Sequence, residues 1–463
     1  MNNRITPLIL AVALFMENMD STVIGTSLAA IAHDIHSEPI ALKLALTSYL
    51  VSLAIFIPIS SWMADRWGSR NVFRVAILVF IAGSLACAVS NSLLAFVVSR
   101  FLQGMGGAMM TPVARLVLVR ITPRNQLVDA MAWLSIPGLI GPILGPPIGG
   151  FLTTYASWHW IFLINVPIGL IGVAMVSRYL PEFHRNAPRR MDFIGFILAG
   201  IIFAGWVFGI SVLTLPALPM EVGIAALIAG TIAAAIYPFH ARRTEYPLLD
   251  LRLFRFPLFR STVVAGGFFR LGTGAMGFLF PLMLQLAFGM SPFQSGAVTF
   301  ASAVGAFAAK FAAENLLQRF GFRTSLVVST FITMLGVVAM GLYVPGTSMA
   351  LIMAVLLMTG FFQSIFWTAQ NAFAFADIED KDAGQANVIS QVGAQLTIAF
   401  GIALGGGALE AARLLHGDEP LLGDFHLAFY VMAGVTLIST MLFARLPRHA
   451  GANVSGHGGG GGH

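Results

Sequence analysis

Apolar residues in this chain gather into runs of about twenty, separated by short polar breaks. Fourteen such runs fall near residues 8–31, 43–63, 72–90, 93–117, 128–153, 159–180, 192–214, 218–239, 262–288, 293–316, 323–344, 348–373, 385–410 and 425–446. A run of about 20 apolar residues is long enough to cross a bilayer as a helix. Lipid offers no partner for backbone N–H and C=O groups, so each span must satisfy them internally. The pattern predicts an all-α polytopic membrane protein of 14 transmembrane helices, with connections too short to hold a soluble domain.

Composition agrees. Hydrophobic residues make up 57% of the 463 and charged residues 10%, where a soluble domain carries about 25% charged; mean hydropathy is +0.84. A single cysteine, Cys87, excludes a disulfide framework and a multi-cysteine metal site. Residues 7–31 form too long a run, without a small-residue exit, for a cleavable signal peptide.

The net charge of +6 and pI near 9.8 are explained by placement. Of 26 lysines and arginines, Arg100, Arg270 and Lys310 lie well inside spans, and Lys43 and Arg413 fall on one side. The other 21 lie on the opposite side, which the positive-inside rule makes cytoplasmic, with both termini there. No nucleic-acid partner is needed to account for the basic balance; the partner is the lipid bilayer.

A short repeat divides the chain. Arg66-Trp67-Gly68-Ser69-Arg70 after the second span is echoed by Arg319-Phe320-Gly321-Phe322-Arg323 after the tenth. Two parallel halves are a known transporter plan. Matching spans 1–6 to spans 9–14 predicts an N-terminal half over 1–185, an inserted hairpin over 186–245, a C-terminal half over 246–448 and a flexible tail over 449–463.

Several motifs resemble those of the major facilitator superfamily. They are Ser61-x-x-Ala64-Asp65-Arg66-x-Gly68-x-Arg70 in the loop after span 2, and Arg100-x-x-Gln103-Gly104-x-Gly106-Gly107-Ala108 in span 4. In span 5, Gly141-Pro142-x-x-Gly145-Pro146-Pro147-x-Gly149-Gly150 resembles the antiporter motif. Asn18-Met19-Asp20-Ser21-Thr22 in span 1 and Trp158 to Gly169 in span 6 are similar to the fourteen-span drug:proton antiporter branch (the EmrB and QacA type). The sequence departs from the pattern at Ser61, where glycine is usual, and at Glu17, where that branch often has an uncharged residue.

The candidate chemistry centres on span 1. A charge in mid-membrane costs roughly 3 kcal/mol on insertion scales and is usually functional. Glu17 and Asp20, three residues apart, share one helical face. Asp20 is the first choice for the proton-coupling acid and Glu17 the second, and the resemblance implies a proton-relay role beside them for Arg100. The glycines Gly141, Gly145, Gly149 and Gly150 leave a flat helix face, while Pro142 and Pro146 bend it. Asp65 could pair with Arg120 or Arg124; with Arg66 and Arg70 these form a candidate conformational latch.

In the second half, Arg270 is a candidate counter-ion for the acids or a ligand for an anionic substrate, with Gly266, Gly267, Gly272 and Gly274 opening space around it. Lys310 and Glu314 stand at i, i+4, where they can pair. Tyr49, Trp133, Gln363, Trp367, Asn371 and Gln391 are polar-tipped residues that could line a substrate cavity. No phosphate loop appears, so the proton motive force is the expected energy source and no cofactor or metal is expected.

The leading expectation is a proton-coupled antiporter of the bacterial inner membrane, exporting amphipathic, lipophilic and cationic compounds by alternating access. The alternative is export of an anionic metabolite such as an organic acid. An enzyme is not expected. A monomer is; a periplasmic adaptor is not readable from the sequence.

Overall fold

The computed structural model describes residues 5–123, 126–182, 190–213, 215, 219–379, 382–415 and 420–447. Taking short 3-10 turns with the helices they continue, the spans are α1 (Thr6–Thr26), α2 (Pro39–Trp67), α3 (Ser69–Ala88), α4 (Leu93–Ile121), α5 (Asp129–Tyr155), α6 (Trp160–Tyr179), α7 (Phe193–Leu213) and α8 (Met220–Arg243). There follow α9 (Pro257–Leu286), the 49-residue stretch Pro292–Met340, α12 (Met349–Ala374), α13 (Ala383–Arg413) and α14 (Leu422–Ala444). Gly321 breaks the long stretch with φ 73°, ψ 170°, dividing it into α10 (292–320) and α11 (322–340). The described residues thus hold the predicted fourteen spans as thirteen helices, one of them broken.

The break has a physical cause. Gly321 and Gly68, each the glycine of its Arg-aromatic-Gly-x-Arg turn, both adopt positive φ, 73° and 85°. A side chain in that region clashes with its own backbone, so glycine is the residue that permits the turn between consecutive spans. The sequence repeat is therefore also a repeat of backbone conformation.

The chain divides into two compact units, Met1–Leu248 with Met290–Gly296, and Leu249–Gly289 with Ala297–His463. In the first, α1 lies along α5 because α5 has no side chains in the way. A Cβ on Gly141 would sit 2.9 Å from the backbone nitrogen of Met19, and one on Gly149 would strike the Val23 carbonyl. The four prolines at 137, 142, 146 and 147 are accommodated within this helix. Helices α7 and α8 pair at Gly205 and Gly230, and Phe196 packs edge-on against Phe56 of α2 at 5.8 Å. The second unit is built on aromatic packing: Phe269 of α9 lies 3.8 Å from Phe366 of α12, ring to ring, within a core that includes Phe322, Phe373 and Phe443.

Candidate functional site

Asp20 is fully buried at the centre of a polar network in the first unit. Its Oδ2 accepts from Arg100 Nη1 at 2.6 Å. Its Oδ1 accepts from Gln103 Nε2 at 2.8 Å and from Asn165 Nδ2 at 3.3 Å. Arg100, 1% exposed, also donates to Gln103 Oε1, and Gln103 donates to Ser84 Oγ at 2.8 Å. Four helices, α1, α3, α4 and α6, each contribute a side chain. Gln103 enters through spacing: three residues after Arg100, it shares that residue's helical face.

A buried ion pair holds together only when its remaining polar atoms also find partners. Here both carboxylate oxygens do, while Arg100 Nε has no hydrogen-bond partner among the described residues. The flat face of Arg100 lies over the Tyr49 ring, 4.3 Å from its centroid, a cation–π contact worth about 2 kcal/mol when desolvated.

Glu17 stands in different surroundings. It is partly exposed, and its Oε2 accepts one hydrogen bond, from Thr111 Oγ1 at 2.7 Å. A Cβ on Gly107 would lie 3.2 Å from the Tyr49 hydroxyl and 3.7 Å from Glu17 Cγ, so Tyr49 and Glu17 border the same spot on α4. That hydroxyl is buried and has no hydrogen-bond partner among the described residues. The two acids thus share a helix face but not an environment. One is enclosed and saturated, the other partly open with a single donor.

The α5 glycines sit directly behind these acids. Gly145 faces the Thr22 side chain, and a Cβ on Gly150 would meet the backbone of Pro292 and Phe293. Phe293 N also donates to Thr154 Oγ1 at 3.0 Å. Pro142 and Pro146 lie inside the same helix, and Trp133, farther along it, is half-buried. A cavity of about 450 Å³ opens among Thr6, Ile121, Gln126, Asp129, Arg178 and Tyr179. It lies at the span ends, about three helical turns along α1 from Glu17.

Around the first repeat motif, Arg120 Nη2 donates to Asp65 Oδ1 at 2.5 Å and Arg120 Nη1 to Ser69 Oγ at 3.5 Å. Arg70 reaches the Ser177 carbonyl instead, and Arg66 is exposed. Arg124 lies outside the described residues.

In the second unit Arg270 is buried, 9% exposed, with its guanidinium over the Trp367 ring at 4.8 Å. Trp367, Gln363 and Gln391 are half-buried and Asn371 exposed. Trp367, Gln363 and Asn371 stand at four-residue steps on one face of α12. Of the glycines expected to open space near Arg270, three do not: Gly266 is filled by Gln370, Gly272 by Thr436 and Gly274 by Ile398. Gly267 is the exception, its nearest neighbour Thr397 Cγ2 standing at an ordinary contact distance of 3.4 Å. Lys310 and Glu314 do not pair either. Lys310 donates to Thr368 Oγ1 at 3.4 Å, while Glu314 accepts from Gln318.

Sequence reasoning placed no role on Gln103, Asn165, Ser84 or Thr111. They are uncharged, so the cost of charge in lipid does not mark them. The available signal was membership in the motifs of spans 4 and 6, which contain Gln103 and Asn165.

Comparison with known proteins fits this geometry. The chain is 35% identical over 458 residues to the candidate multidrug resistance protein MdtD of Cronobacter sakazakii, covering 96% of this chain and 95% of that one. It is 34% identical over 462 residues to the protein of the same name from Salmonella dublin, with the same coverage. Among solved structures it is similar in fold to the POT family transporter PepTSo, TM-score 0.70, 13% identity, covering 96% of this chain and 97% of that one. A D-xylose-proton symporter gives TM-score 0.68 at 12% identity, covering 96% and 98%. The Major Facilitator Superfamily profile matches residues 10–244 and 262–461, and with an all-helical membrane fold carrying the superfamily's motifs in order, the chain belongs to the Major Facilitator Superfamily.

Proposed function

We propose that this protein is a proton-coupled antiporter of the fourteen-span branch, exporting amphipathic small molecules from the bacterial cytoplasm by alternating access. The observation that carries this reading is the buried Asp20–Arg100 pair, at 2.6 Å and with both side chains essentially unexposed. Such a pair holds while Asp20 is charged. A proton arriving on Asp20 removes the charge that satisfies Arg100, and Arg100 must then find another partner or water. A packed network with two arrangements, biased by one proton, is what couples a gradient to a conformational change.

Glu17 extends the reading. Partly open and bonded to one hydroxyl, it can exchange a proton or meet a substrate group without dismantling the Asp20 network. The 34–35% identical relatives named as candidate multidrug resistance proteins support efflux of varied compounds. The Arg120–Asp65 contact at the first repeat motif is then a cytoplasmic latch that opens and closes with the cycle.

One proton crossing about 100 mV releases about 2.3 kcal/mol, enough for a substrate gradient of roughly fiftyfold. The test is proton flux in proteoliposomes holding an internal pH dye, with amphipathic compounds added under an imposed pH gradient. Compound-triggered flux that disappears in Asp20→Asn supports the proposal; full pH-driven flux in that variant overturns it.

A further inference from the structure

Among the described residues, the second unit holds two intramembrane cations with no counter-ion. Arg270 is more than nine-tenths buried, and its Nε has no hydrogen-bond partner. Lys310, inside α10, reaches only the Thr368 hydroxyl. Within this unit, among the described residues, no carboxylate pairs with either. Glu314, the acid one turn from Lys310, is engaged by Gln318, while Arg255–Asp382 and Arg413–Glu410 are occupied elsewhere. A buried charge without a partner, as Arg270 is, costs several kcal/mol, and a charged residue within a span is usually functional.

Both cations converge on α12. Arg270 comes from α9 and covers the Trp367 ring; Lys310 comes from α10 to the adjacent Thr368. Their contacts therefore flank the stripe of Gln363, Trp367 and Asn371, which is partly to fully exposed. The helix surfaces near Arg270 are not overpacked. Gly267, one turn before Arg270 on α9, has Thr397 Cγ2 as its nearest neighbour at 3.4 Å, and Gly393 of α13 meets nothing nearer than 3.9 Å.

We infer that Arg270 and Lys310 bind the carboxylate of an amphipathic organic anion whose apolar ring or chain lies against Trp367. Guanidinium recognises carboxylate by paired N–H donors, and the ammonium supplies a second positive charge. This inference rests on the export reading and deepens it: the transported compounds carry an anionic group, and the lipophilic cation is no longer the expected class. The acids of the first unit are left to the proton.

The test separates binding from transport. Purified protein in detergent is titrated by calorimetry with 2-naphthoate, salicylate, decanoate and cholate, and with two matched controls, 2-naphthamide and 2-naphthylmethylammonium. Wild type is expected to bind at least one carboxylate and to discriminate against both controls. Arg270→Gln and Lys310→Gln should each weaken that binding by about tenfold to a hundredfold, as loss of a charged hydrogen bond does, with partial recovery in Arg270→Lys. Lys310 is exposed, so Lys310→Gln keeps the test valid if Arg270→Gln fails to fold. Unchanged binding in Lys310→Gln and a folded Arg270 variant, preference for the cation, or no carboxylate bound by folded wild type each overturns the inference. Arg270-dependent carboxylate binding without any proton flux in wild-type proteoliposomes instead defeats the antiport reading and leaves the anion site standing.

Discussion

Arg70 donates from Nη2 to the backbone carbonyl of Ser177 at 2.8 Å, tying the start of α3 to the last turns of α6. In the second unit Arg323 donates from Nη2 to the carbonyl of Ala444, the last residue of α14, at 2.7 Å. Both arginines close an Arg-aromatic-Gly-x-Arg turn, and both satisfy a carbonyl near the C-terminus of the sixth span of their half. Such carbonyls lack intrahelical donors and carry the negative end of the helix dipole. The repeat therefore extends to one hydrogen bond, by which each turn is tied to a helix C-terminus within its own unit.

Arg70→Ala should lower stability by about 1 kcal/mol, the usual net value of such a bond. Arg323→Ala should cost less, because its bond is exposed. Thermal unfolding of the detergent-solubilised protein, followed by fluorescence, checks the order. A larger loss in Arg323→Ala would mean that the two turns do not play the same part.

Asp20→Asn leaves Arg100 buried against a neutral amide. Removing one partner of a buried pair typically costs about 3–5 kcal/mol, while replacing both with apolar residues can be neutral. Asp20→Asn should therefore show a clearly lower melting temperature, and Asp20→Leu with Arg100→Met should recover most of it without recovering transport. Recovery of both would assign the pair a purely structural role.

Long apolar runs, the side bias of the arginines and the two acids of α1 were legible in the sequence because lipid penalises charge and unsatisfied backbone so heavily. The partners of those acids were not. Gln103 and Asn165 are amides whose role depends on how α4 and α6 rotate against α1, which no local pattern encodes. Lys310 and Glu314 illustrate the same limit: their spacing allows a pair, yet Lys310 turns to Thr368, 58 residues away, and Glu314 to Gln318. Near Arg270 a cluster of glycines suggests open space, and three of the four are close-packed instead.

Gly145 and Gly149 of α5 and Gly267 of α9 should therefore respond differently to the same change. Gly145→Ala drives a methyl group into the Thr22 side chain, and Gly149→Ala into the Val23 carbonyl. Overpacking of this kind costs about 1–3 kcal/mol, and it falls on the helix contact behind Asp20. Gly267→Ala meets Thr397 at 3.4 Å, an ordinary contact, and should leave stability unchanged. Folded yield and melting temperature of the three variants decide it. Equal losses at all three would remove the close α1–α5 approach as the explanation.

Asp34 follows α1 outside its span, and its Oδ2 accepts from Trp158 Nε1 at 2.6 Å. That bond above all, with a lesser one from His33, holds the carboxyl below its ordinary value of 3.8. A carboxyl held low in the folded state stabilises the fold above its unfolded pKa, and the benefit is lost as pH falls through the folded value. Asp34→Asn keeps an acceptor for Trp158 but not the charge, so it should melt below wild type at pH 6 to 7. The gap should narrow once pH drops below about 4 and close where the wild-type carboxyl is fully protonated. Melting temperatures of the two proteins across that range are the check. A gap that stays constant with pH would show that shape at this contact, rather than charge, is what Trp158 recognises.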